Sequence, residues 1–148
     1  MARVDLTVAL VVVAVLLAAT VLTGVVVQRR QGRAREVRDG DVVDPGSIGF
    51  EGLGRDATLV QFSTEMCSRC PGVHRLLSSV ADHREGVAHL DVDLTHRPDL
   101  AARFHVLQTP TTLVLDRTGA VRTRFGGTPG RTAVELELDR LSEESHRG

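Results

Sequence analysis

The chain has 148 residues, enough for one ordinary domain plus accessory sequence, and a formal net charge of −1 from 18 Lys plus Arg against 19 Asp plus Glu. From Ile48 onward 12 Arg stand against 14 Asp plus Glu, so no basic face is indicated and nucleic acid is excluded as an expected partner. Lys, Asn, Tyr and Trp are absent, the pattern of GC-rich coding sequence, and the all-Arg cation usage therefore carries no functional meaning.

After a short tail at residues 1–5, Leu6 to Val27 contains no charged residue. At about 1.5 Å per residue this run makes a helix of about 33 Å, enough to cross a hydrocarbon core of about 30 Å. A transmembrane helix over residues 6–27, in contact with the lipid bilayer, is predicted. A secretory signal peptide is the competing reading, but its apolar core would be about 7 to 15 residues long and end at a small-residue cleavage site. Here Thr23-Gly24 is followed by three more valines. The following flank carries Arg29, Arg30, Arg33, Arg35 and Arg38, whereas the tail has Arg3, Asp5 and the amino group. The positive-inside rule predicts a single-pass protein of the cell membrane with its C-terminal part in the cytoplasm; an extracytoplasmic domain is the alternative. Residues 28–47 are polar, with Glu36, Asp39, Asp41 and Asp44 diluting the arginines, and show neither helical nor strand periodicity. They are predicted to form a linker, which leaves residues 48–148 as the folded domain.

Within that domain "SIGFEGLG" holds either a short opening helix or an edge strand. Ala57 to Ser63 is short, apolar and β-branched, as a buried strand should be. From about Cys67 to His83, Val73, Leu76, Leu77 and Val80 fall on one helical face. Val87 to Asp93 alternates Val87, His89, Asp91 and Asp93 with Ala88, Leu90 and Val92, a strand with unlike faces. A short helix is predicted around Pro98 to Phe104, with Asp99 suited to its start. "TTLVLD" and "AVRTRF" flank "RTG" as a hairpin, with Gly119 available for a positive φ. A last helix is predicted with Thr128 as N-cap, Pro129 as first residue and Val134, Leu138 and Leu141 facing the core. The order β, α, β, α, β, β, α, with two helical connections read as parallel crossovers, implies an α/β sandwich.

Both cysteines, Cys67 and Cys70, lie between the first strand and its helix, and a C-x-x-C in a βαβ context is a redox arrangement. Backbone N–H groups at a helix start favour a thiolate, which makes Cys67 the expected exposed nucleophile. Cys70, about one turn on, is placed to close a disulfide and resolve a mixed one. Arg69 between them either favours the thiolate or is an ordinary solvated side chain. Two other readings use the same residues. A membrane-tethered metal-handling module would employ Cys67, Cys70 and His74, with His83, His89, His105 or an acid as fourth ligand. A non-catalytic interaction domain would leave both thiols idle.

The strand, "CSRC" and "QTPTTLVLDRTG" together resemble the thioredoxin-like family, in particular its membrane-anchored bacterial thiol–disulfide oxidoreductases, over roughly Ala57 to Leu141. The resemblance implies a thioredoxin-like α/β/α sandwich behind the transmembrane helix, no cofactor, and a protein-disulfide reductase type of enzyme. Its catalytic couple would be Cys67 and Cys70, with Pro110 as a cis-proline facing them and the Thr109 backbone pairing with a substrate strand. Its partners would be proteins bearing disulfides or dithiols and an electron-donating redox protein. Several positions depart from the family pattern. Met66 replaces the tryptophan usual before the first cysteine, which alters the substrate-binding surface. Gln61 replaces a buried acid and cannot take a proton from the resolving thiol, while His89 replaces a lysine and is a candidate for handling protons. Pro71 is tolerable only in the first turn of the helix and predicts a distortion there, with a missing backbone bond.

Overall fold

The computed structural model describes residues 6–30, 32–37 and 41–147. The tail with Arg3 and Asp5, and Arg38 and Asp39 of the flank, lie outside the described residues. The chain divides into two units, the second beginning at Gly32.

The first unit is helix α1, Leu6–Arg30, long and apolar enough to cross a bilayer over Thr7–Val27. Length and composition are those of a membrane span or of a signal sequence. None of the span is buried within the chain, and apolar side chains such as Leu10, Val15, Leu17 and Leu22 point outward all round. The hydroxyls of Thr20 and Thr23 donate to the Leu16 and Ala19 carbonyls, each at 2.8 Å, so these two polar side chains are satisfied inside the helix.

The second unit is a five-stranded mixed sheet with helices on both faces. Its elements are β1 (Ala34–Glu36), a 3-10 helix (Pro45–Ile48), β2 (Ala57–Ser63), α2 (Cys70–Asp82), β3 (Val87–Asp93), α3 (Pro98–Arg103), β4 (Thr111–Asp116), β5 (Val121–Gly126) and α4 (Arg131–Arg147). The strand order is β1-β5-β4-β2-β3. Only β2 and β3 run parallel, joined by α2, whereas β4 lies antiparallel to β2.

The second crossover expected from the sequence is therefore absent. A parallel return past a seven-residue strand must span about 23 Å, and the six residues of α3 cover about 9 Å. The chain instead turns back at the end where β3 finishes. The stretch read as a linker is partly built into the sheet: β1 pairs with β5, Val42 bridges Ala120, and Val43 and Ile48 are buried. Three residues are too few to show a strand period, so this pairing left no mark in the sequence. "SIGFEGLG" opens with the end of the 3-10 helix, capped by the Asp44 side chain accepting from the Ser47 N–H. In the hairpin, Gly119 takes φ +84° and lies against the Val43 carbonyl, where a Cβ would sit 2.8 Å away.

Helix α4 starts at Arg131, later than Thr128 and Pro129 suggested, because the Gly130 carbonyl receives the first bonds from Ala133 and Val134. The Thr128 carbonyl instead packs against Gly32, whose φ of +78° leads into β1.

The two faces of the sheet differ. On the α3 side Val60, Phe62, Val92, Leu100, Phe104, Leu113 and Leu115 form one apolar cluster. On the α2 and α4 side Leu59, Val73, Leu77, Val80, Val114, Phe125, Val134, Leu138 and Leu141 form another, and the core-facing positions expected on both helices are all there. At the C-terminal end of β2 this second face turns polar. There Gln61 stands between Thr112 on β4 and Asp91 on β3.

Candidate active site

Chemistry collects where β2 passes into α2. The Cys67 N–H donates to the Thr64 carbonyl at 3.1 Å and the Cys70 N–H to the Cys67 carbonyl at 3.2 Å, so Cys67 lies in a turn ahead of the helix rather than inside it. Helix α2 begins at Cys70. The Glu65 N–H donates to Thr95 Oγ1 at 3.0 Å, which fastens this turn to the segment after β3. Cys67 and Cys70 are disulfide-bonded, their Cα atoms 5.4 Å apart. Cys67 is half-buried and Cys70 is 4% exposed, so a partner's sulfur can reach the first far more readily than the second.

Pro71 is the second residue of α2. The first helical bond runs from the Val73 N–H to the Arg69 carbonyl, so the N–H that proline lacks belongs to the first turn, where no helical acceptor exists. The anticipated missing bond disturbs nothing further along.

The Thr109–Pro110 peptide is cis, as expected. Thr109 Oγ1 lies 3.2 Å from Thr64 Oγ1, which ties the proline loop to the cysteine turn. Met66 is 94% exposed on one side of this junction, and Leu107 of the proline loop is 95% exposed. Leu107 was not singled out in the sequence, where one leucine in "HVLQTP" reads as an ordinary loop residue. A cleft of about 710 Å³ is lined by Arg35, His105, Leu107, Gln108 and Arg124 among others, and by neither cysteine.

Gln61 is fully buried and donates from Nε2 to the Cys70 carbonyl at 3.1 Å, pinning the first turn of α2 to the sheet. Its Oε1 is buried without a hydrogen-bond partner. A neutral amide has no proton to exchange at ordinary pH, so this residue positions Cys70.

His89 sits beside Leu59, one step down the strand from the Gln61 row. Its Nδ1 is 2.9 Å from Ser78 Oγ, and its ring meets the His74 ring edge-on at 4.9 Å between centroids. Burial, helped by the His74 charge and opposed by Asp91 and Asp82, pushes its pKa down to about 4. His89 is consequently neutral at pH 7, and its buried Nε2 has no partner.

The strand neighbour of Gln61 is Asp91. Asp91 accepts from Ser63 Oγ at 2.6 Å and lies 3.0 Å from His74 Nδ1. Sequence reasoning missed this pairing, although two signals were present: Asp91 on the same strand face as His89, and His74 four residues after Cys70. His74 thus faces an acid, while His83 Nδ1 is bonded to the Ser79 carbonyl. Among the described residues no group of three or more His, Cys, Asp or Glu side chains is arranged to hold a metal ion.

A thioredoxin family model matches residues 53–139, more than half of the chain. The chain belongs to the thioredoxin family. Solved thioredoxins share its fold: a mutant thioredoxin from Halobacterium salinarum NRC-1 is 18% identical, with TM-score 0.53 over 59% of this chain and 75% of its own. A Fasciola hepatica thioredoxin is 22% identical, with TM-score 0.51 over 60% of this chain and 83% of its own. Mitochondrial thioredoxin 3 from Saccharomyces cerevisiae, in its oxidized form, is 21% identical, with TM-score 0.51 over 58% of this chain and 79% of its own. Among curated proteins no sequence match is found. In this thioredoxin-family chain the CxxC pair at disulfide distance is an arrangement for two-electron thiol–disulfide exchange.

Proposed function

We propose that the protein is a membrane-anchored thiol–disulfide oxidoreductase that reduces disulfides in client proteins. The observation that carries this reading is the asymmetry of the cysteine pair: Cys67 in an accessible turn, Cys70 buried at the head of α2, the two already at bonding distance. In the reduced protein the Cys67 thiolate attacks a client disulfide, expelling one client thiolate and forming a mixed disulfide. Cys70 then attacks Cys67 Sγ, which expels the second client thiolate and leaves the Cys67–Cys70 disulfide. A redox protein that donates two electrons would restore the dithiol. Met66 and the backbone at Thr109 and cis-Pro110 would supply the surface on which a client strand rests.

Helix α1 supplies the anchor in this reading, and the arginine-rich flank supports a cytoplasmic domain. Alkaline phosphatase fused after Gly148, active only outside the cytoplasm, should be silent in intact cells while a cytoplasm-active reporter at the same site works. Phosphatase activity would place the domain on the other side and require electrons to be passed through the membrane. For the chemistry, Cys67→Ser should abolish disulfide reduction by the full chain and Cys70→Ser should accumulate covalent client adducts. Full activity in Cys67→Ser would overturn the mechanism.

A further inference from the structure

We propose that His74, oriented by Asp91, is the proton acceptor for the Cys70 thiol in the resolving step, a role that rests on the exchange reaction proposed above. Cys70 is buried at the first position of α2, and a buried thiol must lose its proton before it can attack. The amide of Gln61 beneath it holds the Cys70 carbonyl and accepts no proton. His74 lies four residues further along α2, so it shares the Cys70 face with Cβ atoms about 5–6 Å apart. Helical side chains lean toward the N-terminus, the direction in which Cys70 lies.

Asp91 fixes the ring. It stands across from Gln61 on the adjacent strand, is itself held by Ser63 Oγ at 2.6 Å, and lies 3.0 Å from His74 Nδ1. A carboxylate at Nδ1 selects the tautomer with the proton on Nδ1 and leaves the Nε2 lone pair as the acceptor. His89 completes the surroundings from β3, with its ring against that of His74 and its own Nδ1 engaged by Ser78. The groups with titratable charge in contact with His74 are thus Asp91 and His89 from the sheet, and Cys70 lies one turn back on its own helix. In the step itself the Cys70 proton passes to His74 Nε2 and a bond forms between Cys70 Sγ and Cys67 Sγ. The bond from Cys67 Sγ to the client sulfur breaks, and its electron pair leaves with the client thiolate. The dithiol is the reductant, so no further co-reactant is needed. His74 then returns its proton to solvent through its exposed side.

The full chain in detergent micelles, reduced with a phosphine and freed of it, is mixed in a stopped-flow instrument with an aromatic disulfide whose thiolate absorbs visible light. Attack by Cys67 releases the first thiolate and attack by Cys70 the second. His74→Gln should leave the first phase within about twofold and slow the second by about tenfold or more at pH 7. Its second phase should also depend on pH more steeply than that of the unmodified chain, because solvent hydroxide then has to take the proton. Asp91→Asn, which keeps the shape but not the charge, should slow the second phase by a smaller factor. His74 is a half-exposed side chain, so the glutamine variant should fold, and the intact first phase verifies this. A second phase unchanged in rate and pH profile, or both phases slowed in proportion, would overturn the role. Absence of the first phase in the unmodified chain would instead refute the exchange reaction, and the proton route with it.

Discussion

The two faces of the sheet are built from alternate residues of the same strands, yet they do different work. Phe62 and Leu113 point into an apolar cluster closed by Phe104, whose ring lies 5.3 Å from that of Phe62. Gln61 and Thr112, their immediate neighbours in sequence, point to the other side and are buried with polar atoms left unpaired. Burying such groups opposes folding by about 1–3 kcal/mol each. One face therefore supplies stability and the other, at a single end, gives some of it up to place Cys70.

That division can be broken from either side. Phe62→Ala should destabilise the second unit by about 3–5 kcal/mol through lost burial and the cavity left behind. Denaturant unfolding of the full chain in micelles reads this, while the rate at which Cys67 attacks a disulfide should stay within about twofold at low denaturant. Gln61→Leu should do the reverse. It removes one unpaired oxygen but leaves the Cys70 carbonyl without its donor, so stability should change by no more than about 1 kcal/mol. The resolving phase should slow measurably because the first turn of α2 is no longer pinned. A Gln61→Leu chain that resolves mixed disulfides at the normal rate would show that the clamp is dispensable.

The smallest effect concerns His89. Its pKa falls from the ordinary 6.5 to about 4 in the folded chain. Below pH 6.5 the unfolded chain therefore binds a proton that the folded chain refuses, and stability decreases as the pH drops from about 6.5 toward 4. Above pH 6.5 this contribution is complete and flat. His89→Leu should shallow the decline in urea midpoint across that window; an unaltered slope would show that the ring is not the group being titrated.

Much of this was legible beforehand for identifiable reasons. Long periodic segments declare themselves: the charge-free run of α1, the 3.6-residue spacing of Val73, Leu77 and Val80, and the β-branched β2 all appear where they were expected. The CxxC pair and the cis peptide at Pro110 followed from local sequence and family resemblance. Boundaries were less legible. Helix α2 begins at Cys70 and α4 at Arg131 because the preceding carbonyls are engaged in turns or against Gly32, which spacing does not reveal.

The sequence by itself determined most of the long helices and strands and the spacing of the CxxC pair, because both depend on neighbours within a turn or two. The tertiary structure alone decided that β4 runs antiparallel, that β1 joins the sheet, and that Gln61 sits beside Asp91. Those outcomes depend on strand register, which is set by the packing of residues tens of positions apart. Register and packing brought Asp91 of β3 to 3.0 Å from His74, four residues after Cys70 on α2.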